Sequence, residues 1–463
     1  MRGVKQDRAI ADTRHISEVS SQCTGEGAEG PFAFALGTME AIDMPTTTVD
    51  IRGEDFYING RKTYSEIEGS NPSAHGLLMN ARFIQGIFDD KADPSRFARF
   101  GYGKWDPEEN TDRLIAALPE WHAHGLRAFT VGFQGGGPFY TIKNHTIDNN
   151  PFGEDGKTLD PAYAARMDRL IRAADACGMV VIVSYLYAGQ VVARMRDGQA
   201  IIDAVKTASR FLKEGGYKNV LVEVANEHSI EPFAKHPLIY SPEGMVCLIG
   251  IAREESGGLP VGCSGGGGYV NEEVCRASDY ILVHGNGCTR QQLYNLFVRA
   301  REYSPGKPVV CNEDSQSIGQ LEVASRTHSS WGYYNNMSKQ EPPANWRITK
   351  GEDQFFAYRM AQGIGIKVDP IPEADQYYLQ GFGPESEYEG KRWIRLASLY
   401  PESINYVDYY VGDELVFTTY DEPFTLFQEH NWLQRGIAVE ELAKGFRAEV
   451  HLRNGEVLIK RPA

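Results

Sequence analysis

No apolar run in this chain approaches the roughly 18 residues that cross a bilayer. Positive charge is in deficit: 47 Lys and Arg face 62 Asp and Glu, for a formal net charge of -15. No basic cluster marks a groove for phosphates, so neither nucleic acid nor an anionic membrane is expected as a partner. Cysteine is sparse and odd in number, at positions 23, 177, 247, 263, 275, 288 and 311, and no CxxC pair occurs. Neither a zinc site nor a disulfide framework is signalled, and free thiols are the expectation. Residues 1–21 lack the basic start and apolar stretch of a secretory signal, which makes the cytoplasm the expected location. Nothing in the sequence speaks to oligomeric state.

What is present suffices for one large domain and a small one: 463 residues, 42% of them hydrophobic. Residues 1–45, with Gly25, Gly27 and Gly30 and no sustained periodicity, read as a disordered N-terminal extension. From residue 46, short strand-like runs flank Arg52, Gly53 and Glu54 and then Asn59 and Gly60, the composition of tight hairpin turns. Apolar runs at 77–88, 126–133, 179–187, 220–224, 259–263, 280–284, 308–311 and 330–334 then alternate with helical patterns such as 110–124, 161–177, 199–214 and 291–303. Eight strands with intervening helices predict a (β/α)8 TIM barrel over 46–372, its bottom plugged by the hairpins. A doubly wound sheet would carry a glycine fingerprint opening its first helix, and none is there. Beyond residue 372 the runs alternate with period two around turns such as Gly412, Asp413 and Asn454, Gly455, predicting a small all-β sandwich over 373–463.

Two of the barrel runs end at a glutamate: Val220 to Val224 leads through Ala225 and Asn226 to Glu227, and Val309, Val310 and Cys311 lead through Asn312 to Glu313. A parallel barrel gathers the C-terminal ends of its strands at one rim, so both carboxylates face one pocket. Here the chain resembles clan A glycoside hydrolases, the retaining (β/α)8 enzymes that include the cellulase-like families. Glu223, Val224, Ala225, Asn226 and Glu227 are similar to the clan's strand-four signature, and Glu313 falls at its nucleophile position on strand seven. Phe56 to Gly60 resembles the clan's entry hairpin and Ser330 to Tyr333 its strand-eight aromatic segment, so the likeness covers roughly residues 50–365. The segment from Val407 to Val416, with Asp421 to Phe424 after it, resembles bacterial immunoglobulin-like modules appended to carbohydrate enzymes.

The resemblance implies hydrolysis of O-glycosidic bonds in an oligo- or polysaccharide, with Glu227 as general acid/base and Glu313 as nucleophile, and no metal or cofactor. Two carboxylates suit that chemistry because the leaving oxygen needs a proton while positive charge develops at the anomeric carbon. It further implies that Asn226 bonds the sugar 2-hydroxyl and that His284 lies near the nucleophile. Trp331 is a candidate sugar platform, and Tyr187, Tyr185 and Gln134 are candidate rim residues. Glu223, four residues before Glu227, is expected deep in the barrel as a structural carboxylate paired with Arg82. The clan usually ends strand two in an arginine that steadies the nucleophile; here Thr130 to Gln134 occupies that place, and Arg127 lies at the other end. Either Arg82 takes the role from strand one, or the site differs from the familiar families.

Two alternatives belong to other classes. One is a catalytically silent carbohydrate-binding barrel. The other is a metal-dependent lyase or isomerase with Asp314, Glu313 and His284 as ligands, which bound divalent metal would reveal. The glycine-rich stretches 135–137 and 265–268 follow strands two and five rather than seven and eight, so open loops leaving room for substrate are expected in place of phosphate cradles. The polar stretch 335–349, with Pro342, Pro343 and Trp346, is expected to cover the pocket.

Overall fold

The alternation of apolar and amphipathic stretches becomes strands and helices in strict succession. The computed structural model describes residues 47–97, 105–138, 141–383, 386–429 and 433–462; the expected N-terminal extension over 1–45 lies outside them. Three short strands, β1 (Val49–Arg52), β2 (Asp55–Ile58) and β3 (Arg61–Lys62), pair antiparallel. Asn59 and Gly60 turn between the last two with left-handed φ of 52° and 74°, the primed-turn geometry that matches hairpin twist.

Eight parallel strands follow: β4 (Asn80–Arg82), β5 (Ala128–Gly132), β6 (Val180–Leu186), β7 (Val220–Ala225), β8 (Val261–Gly262), β9 (Ile281–His284), β10 (Val309–Glu313) and β11 (Gly332–Tyr333). A helix comes after each in turn: α1 (Pro107–Ala123), α2 (Pro161–Ala176), α3 (Gly198–Gly215), α4 (Pro242–Glu255), α5 (Glu272–Ala277), α6 (Arg290–Tyr303), α7 (Gly319–Arg326) and α8 (Glu352–Ile364). Six strands pair in the order β11-β4-β5-β6-β7-β8, and β9 pairs with β10. The ring closes where Val310 bridges to Ser330 ahead of β11, and where Asp279 N donates to Val261 O at 2.8 Å between β8 and β9. This is the (β/α)8 barrel: six of the eight apolar runs contain one of its strands, while the strands at 220–225 and 309–313 run one and two residues past the expected ends.

Local chemistry explains the helix boundaries. Asp106, Asp160 and Asp197 accept backbone N–H groups at the starts of α1, α2 and α3, and Pro107 and Pro161 occupy first-turn positions that need no donor. The left-handed cap of α3 falls at Gly216, with φ 68°, while Gly215 remains helical.

The barrel strands are buried on both faces, which is why they read as continuous apolar runs. Leu78, Ala128, Val180, Leu221, Tyr280 and Val310 fill the lower interior, closed by Val49 and Phe56 of the hairpins. Phe129, Val131, Val181, Val183, Val222 and Val224 face outward into the packed helices. The C-terminal β unit has its own core, including Val407, Tyr409, Ala448 and Val450. Its largest sheet is antiparallel, in the order Glu414–Thr419, Ile404–Val411, Phe446–Leu452, Val457–Lys460. A second pair, Tyr377–Gln380 with Arg395–Ser398, brings Arg395 onto Glu352 of α8 at 2.6 and 2.7 Å.

The all-thiol expectation is corrected at one position. Cys177, Cys263, Cys275, Cys288 and Cys311 are free, whereas Cys247 is disulfide-bonded. Among the described residues no helix is long and apolar enough to cross a membrane.

Candidate active site

The C-terminal ends of β7 and β10 both break strand alternation, and in doing so aim two adjacent side chains apiece into the barrel mouth. On β7, Leu221 and Glu223 face inward while Val222 and Val224 face the helices. Past the strand end, Glu227 adopts a left-handed φ of 58°, a conformation that costs a non-glycine residue free energy and concentrates at functional sites. On β10 a register shift between Cys311 and Glu313 is a bulge, the device that re-aims a side chain. Asn312 therefore reaches Glu223 at 3.0 Å while its neighbour Glu313 also enters the cavity.

Glu227 and Glu313 share a cavity of about 210 Å³ with Arg82, Asn226, Tyr187 and Tyr334. A carboxylate oxygen of each and a ring nitrogen of His284 all lie within 4.8 Å of one another. Arg82 Nε stands 2.5 Å from Glu313 Oε2, another of its nitrogens donates to Asn226 Oδ1, and Nη1 is 4.0 Å from Glu223 Oε2. Asn286 Nδ2 donates to Glu313 Oε1 at 2.7 Å. His284 Nδ1 is 3.1 Å from Glu227 Oε1 and 3.7 Å from Glu313 Oε2, with Nε2 3.8 Å from Glu223 Oε1. Ser264 ties the floor together, its hydroxyl donating to Glu223 at 2.7 Å and accepting from Glu227 N at 3.1 Å.

This packing sets the protonation states. Burial alone would push the His284 imidazole down, but the carboxylates of Glu313, Glu223 and Glu227 more than offset it and raise its pKa to about 10. Burial pushes Glu223 up, yet His284 and Arg82 prevail and hold its carboxyl at about 2. Glu313 goes the other way: burial, with Glu227 adding to it, outweighs Arg82 and His284 and lifts its pKa above the ordinary carboxylate value. Burial also raises Tyr187 and Tyr334, so both present neutral phenols to the cavity.

The sequence candidates divide cleanly. Glu227, Glu313, Asn226, Arg82 and Tyr187 line the cavity, and His284 touches both carboxylates from below. Trp331 does not line it: fully buried, it packs on Phe356 of α8 and donates Nε1–H to Asp314 at 2.7 Å. Gln134 is also outside the lining, accepting from Tyr187 N and donating to Asn150, both at 2.9 Å, so it positions Tyr187. Tyr185 points to the helices, 3.2 Å from Ser209 of α3. Arg82 pairs most closely with Glu313 rather than Glu223, whereas Arg127 meets Glu66 at 3.4 Å.

Sequence reasoning missed Tyr334, Asn286, Asn336 and Gln340, all of which line the cavity. Alternation would have identified the first: Trp331 and Tyr333 share the face packed on Phe356, leaving Tyr334 for the interior. Asn336 and Gln340 lie on one wide helical turn, Asn336–Gln340, in the expected cover segment. That segment is pinned by Gln85 Nε2 on Gln340 O at 3.2 Å, Lys339 on Asp353 at 2.8 Å and Trp346 on Asn110 at 3.1 Å. Gly136 and Gly267 of the two glycine-rich stretches also form wall; a Cβ on Gly267 would come within 2.3 Å of Asn286 O.

Glu227, His284 and Glu313 form a set whose geometry a divalent cation could use. His284 and Arg82, however, already supply two positive charges to these carboxylates, and an ion would have to displace the His284 proton and compete with Arg82. Asp314, the third ligand of the metal reading, is turned away onto Trp331; burial raises its pKa to about 7.

The sequence matches no family model and no curated protein. Solved structures with similarity include a β-mannanase from the blue mussel Mytilus edulis, at 13% identity and TM-score 0.42, covering 69% of this chain and 96% of that one. A Bacteroides uniformis β-glucuronidase aligns at 11% identity and TM-score 0.42, over 89% of this chain and 47% of its own length. An exo-β-1,4-mannosidase from Opitutaceae bacterium strain TAV5 aligns at 13% identity and TM-score 0.42, over 64% of this chain and 61% of that one.

Proposed function

We propose that the protein is a retaining glycoside hydrolase, acting on an oligo- or polysaccharide by double displacement. The observation that carries this reading is the Glu227 and Glu313 pair, with carboxylate oxygens within 4.8 Å across a cavity at the barrel mouth. Retaining enzymes hold their carboxyl groups about 5–5.5 Å apart, whereas inverting enzymes leave about 6.5–9.5 Å for a water between them. In the proposed reaction Glu227 gives a proton to the leaving oxygen while Glu313 attacks the anomeric carbon, forming a glycosyl-enzyme ester. Glu227, now a carboxylate, then takes a proton from water as that water displaces Glu313, leaving the sugar with its original configuration. Arg82 and Asn286 orient the Glu313 carboxylate for attack. Asn226, held by Arg82, is the proposed partner of the sugar 2-hydroxyl.

A second core within 373–463 supports dividing the chain into a barrel over 46–372 and an accessory β unit over 373–463, with Ala397 and Leu399 of that unit packing into the barrel's core, and the immunoglobulin-like reading is retained for it. The test of the chemistry is hydrolysis of aryl glycosides by wild type, Glu313→Ala and Glu227→Ala, with azide added to the last. Loss of turnover in both variants, and a glycosyl azide of retained configuration from Glu227→Ala, are expected. Turnover surviving both substitutions would refute the pair.

A further inference from the structure

Among the described residues, the cavity mouth is charged by carboxylates and holds no uncommitted cation. Among the described residues that line it, Arg82 alone is basic, and its guanidinium is fully buried and already engaged. Its nitrogens meet Glu313 at 2.5 Å, Asn226, and Glu223 at 4.0 Å, while the Tyr334 ring lies 5.7 Å from its central carbon. The remaining polar lining is neutral amide and phenol: Asn226, Asn286, Asn336 and Gln340 with Tyr187 and Tyr334. Amides offer donors and acceptors together, which suits hydroxyl groups that both give and take hydrogen bonds. A carboxylate, sulfate or phosphate brought here would lose water, face Glu227 and Glu313, and find no free cation. The net charge of -15 adds repulsion toward a polyanion at long range.

We infer that the sugar residue cleaved at this site is uncharged: a neutral pyranoside, with uronides and sulfated or phosphorylated sugars rejected. The inference rests on the glycosidase reading for its catalytic arm and on the cavity alone for its binding arm. It also implies a change that a purely structural role would not bring: Glu313→Gln removes the closer of the two carboxylates paired with Arg82 and leaves part of its charge for a sugar carboxylate.

The experiment compares 4-nitrophenyl glycosides in pairs differing only at C6, hydroxymethyl against carboxylate, in the gluco and galacto series. Wild-type turnover of a neutral member with kcat/KM at least about 100-fold above its uronide is expected; equal or faster uronide cleavage would overturn the inference. Calorimetric titration of Glu227→Gln, which keeps the Glu313 and Arg82 pair, reads the same preference without turnover. Should no glycoside be cleaved, the catalytic reading fails while this arm still decides the charge question. Neutral glycoside bound and uronide not bound supports the inference; uronide bound as well, or neither bound, overturns it. In Glu313→Gln the uronide should gain about tenfold in affinity relative to its neutral partner, and no gain would overturn the account of Arg82.

Discussion

Arg82, on the first strand of the barrel, and Glu313, at the end of the seventh, form a 2.5 Å ion pair at the foot of the cavity. The pair places on strand one the cation that the resemblance to clan A implies at the end of strand two. Arg82→Met should leave Glu223 and Glu313 short of a counter-ion, at a cost of about 3–5 kcal/mol, seen as a fall in denaturant midpoint. In whatever folded enzyme remains, the pKa of Glu313 rises further, so the acid limb of kcat/KM should move to higher pH than in wild type. A limb that stays in place would sever Arg82 from the proposed role of Glu313.

The raised pKa of Glu313 has a direct consequence in wild type. In the proposed reaction attack requires the Glu313 carboxylate, so activity should be lost as pH falls through that raised value, above the 4.5 of an ordinary glutamate. A kcat/KM profile with its acid limb below 4.5 would contradict the assigned role.

Stability has its own pH window. Glu223 is held at about 2 against an ordinary 4.5, so its contribution is present above 4.5 and lost as pH falls toward 2. His284 is raised to about 10 from 6.5, so its contribution is complete below 6.5 and lost as pH climbs through 10. Tm should therefore be highest between about pH 4.5 and 6.5, and His284→Gln should abolish much of the alkaline decline while lowering Tm at neutral pH. The two contributions share one contact and will not add.

Trp331 and Tyr334 should separate in mutagenesis. Trp331→Phe removes one of the two side-chain donors to buried Asp314, leaving Ser315, and should cost about 1–3 kcal/mol, with KM little changed. Tyr334→Ala should raise KM several-fold with a smaller loss of stability, because its ring forms cavity wall. Thermal melts and Michaelis parameters on both variants decide between them; a KM effect confined to Trp331→Phe would restore it as the platform.

The C-terminal unit reaches the site through Arg395. Its bidentate pair with Glu352, and the hydrogen bond that Asn335 Nδ2 donates to Glu352 at 3.0 Å, brace the segment carrying Tyr334, Asn336 and Gln340. Arg395→Ala should cost about 3–5 kcal/mol and raise KM, whereas Arg395→Met with Glu352→Met should recover most of the stability. A double-mutant cycle with no coupling would show that the brace is inert.

Much of this architecture follows from local pattern. Eight apolar runs of strand length, each buried on both faces and spaced by amphipathic stretches that open on Asp106, Asp160 and Asp197, call for a parallel sheet covered by helices, and without a glycine fingerprint at the first helix the (β/α)8 barrel is favoured over a doubly wound sheet. The same spacing put Glu227 and Glu313 at one rim and Glu223 beneath them. What local pattern could not decide is how side chains turn at strand ends. The bulge at Cys311 and Glu313 and the left-handed backbone at Glu227 override strict alternation, and both depend on neighbours distant in the chain, such as Ser264 and His284. Trp331 reads as a sugar platform in one dimension, yet the helix that covers it, α8, and the buried carboxyl of Asp314 claim it for the core. Pairing across the barrel is likewise set by closure alone: Arg82 and Glu313 lie 231 positions apart in sequence and meet because the ring joins its first strand to its last, with the seventh strand close behind.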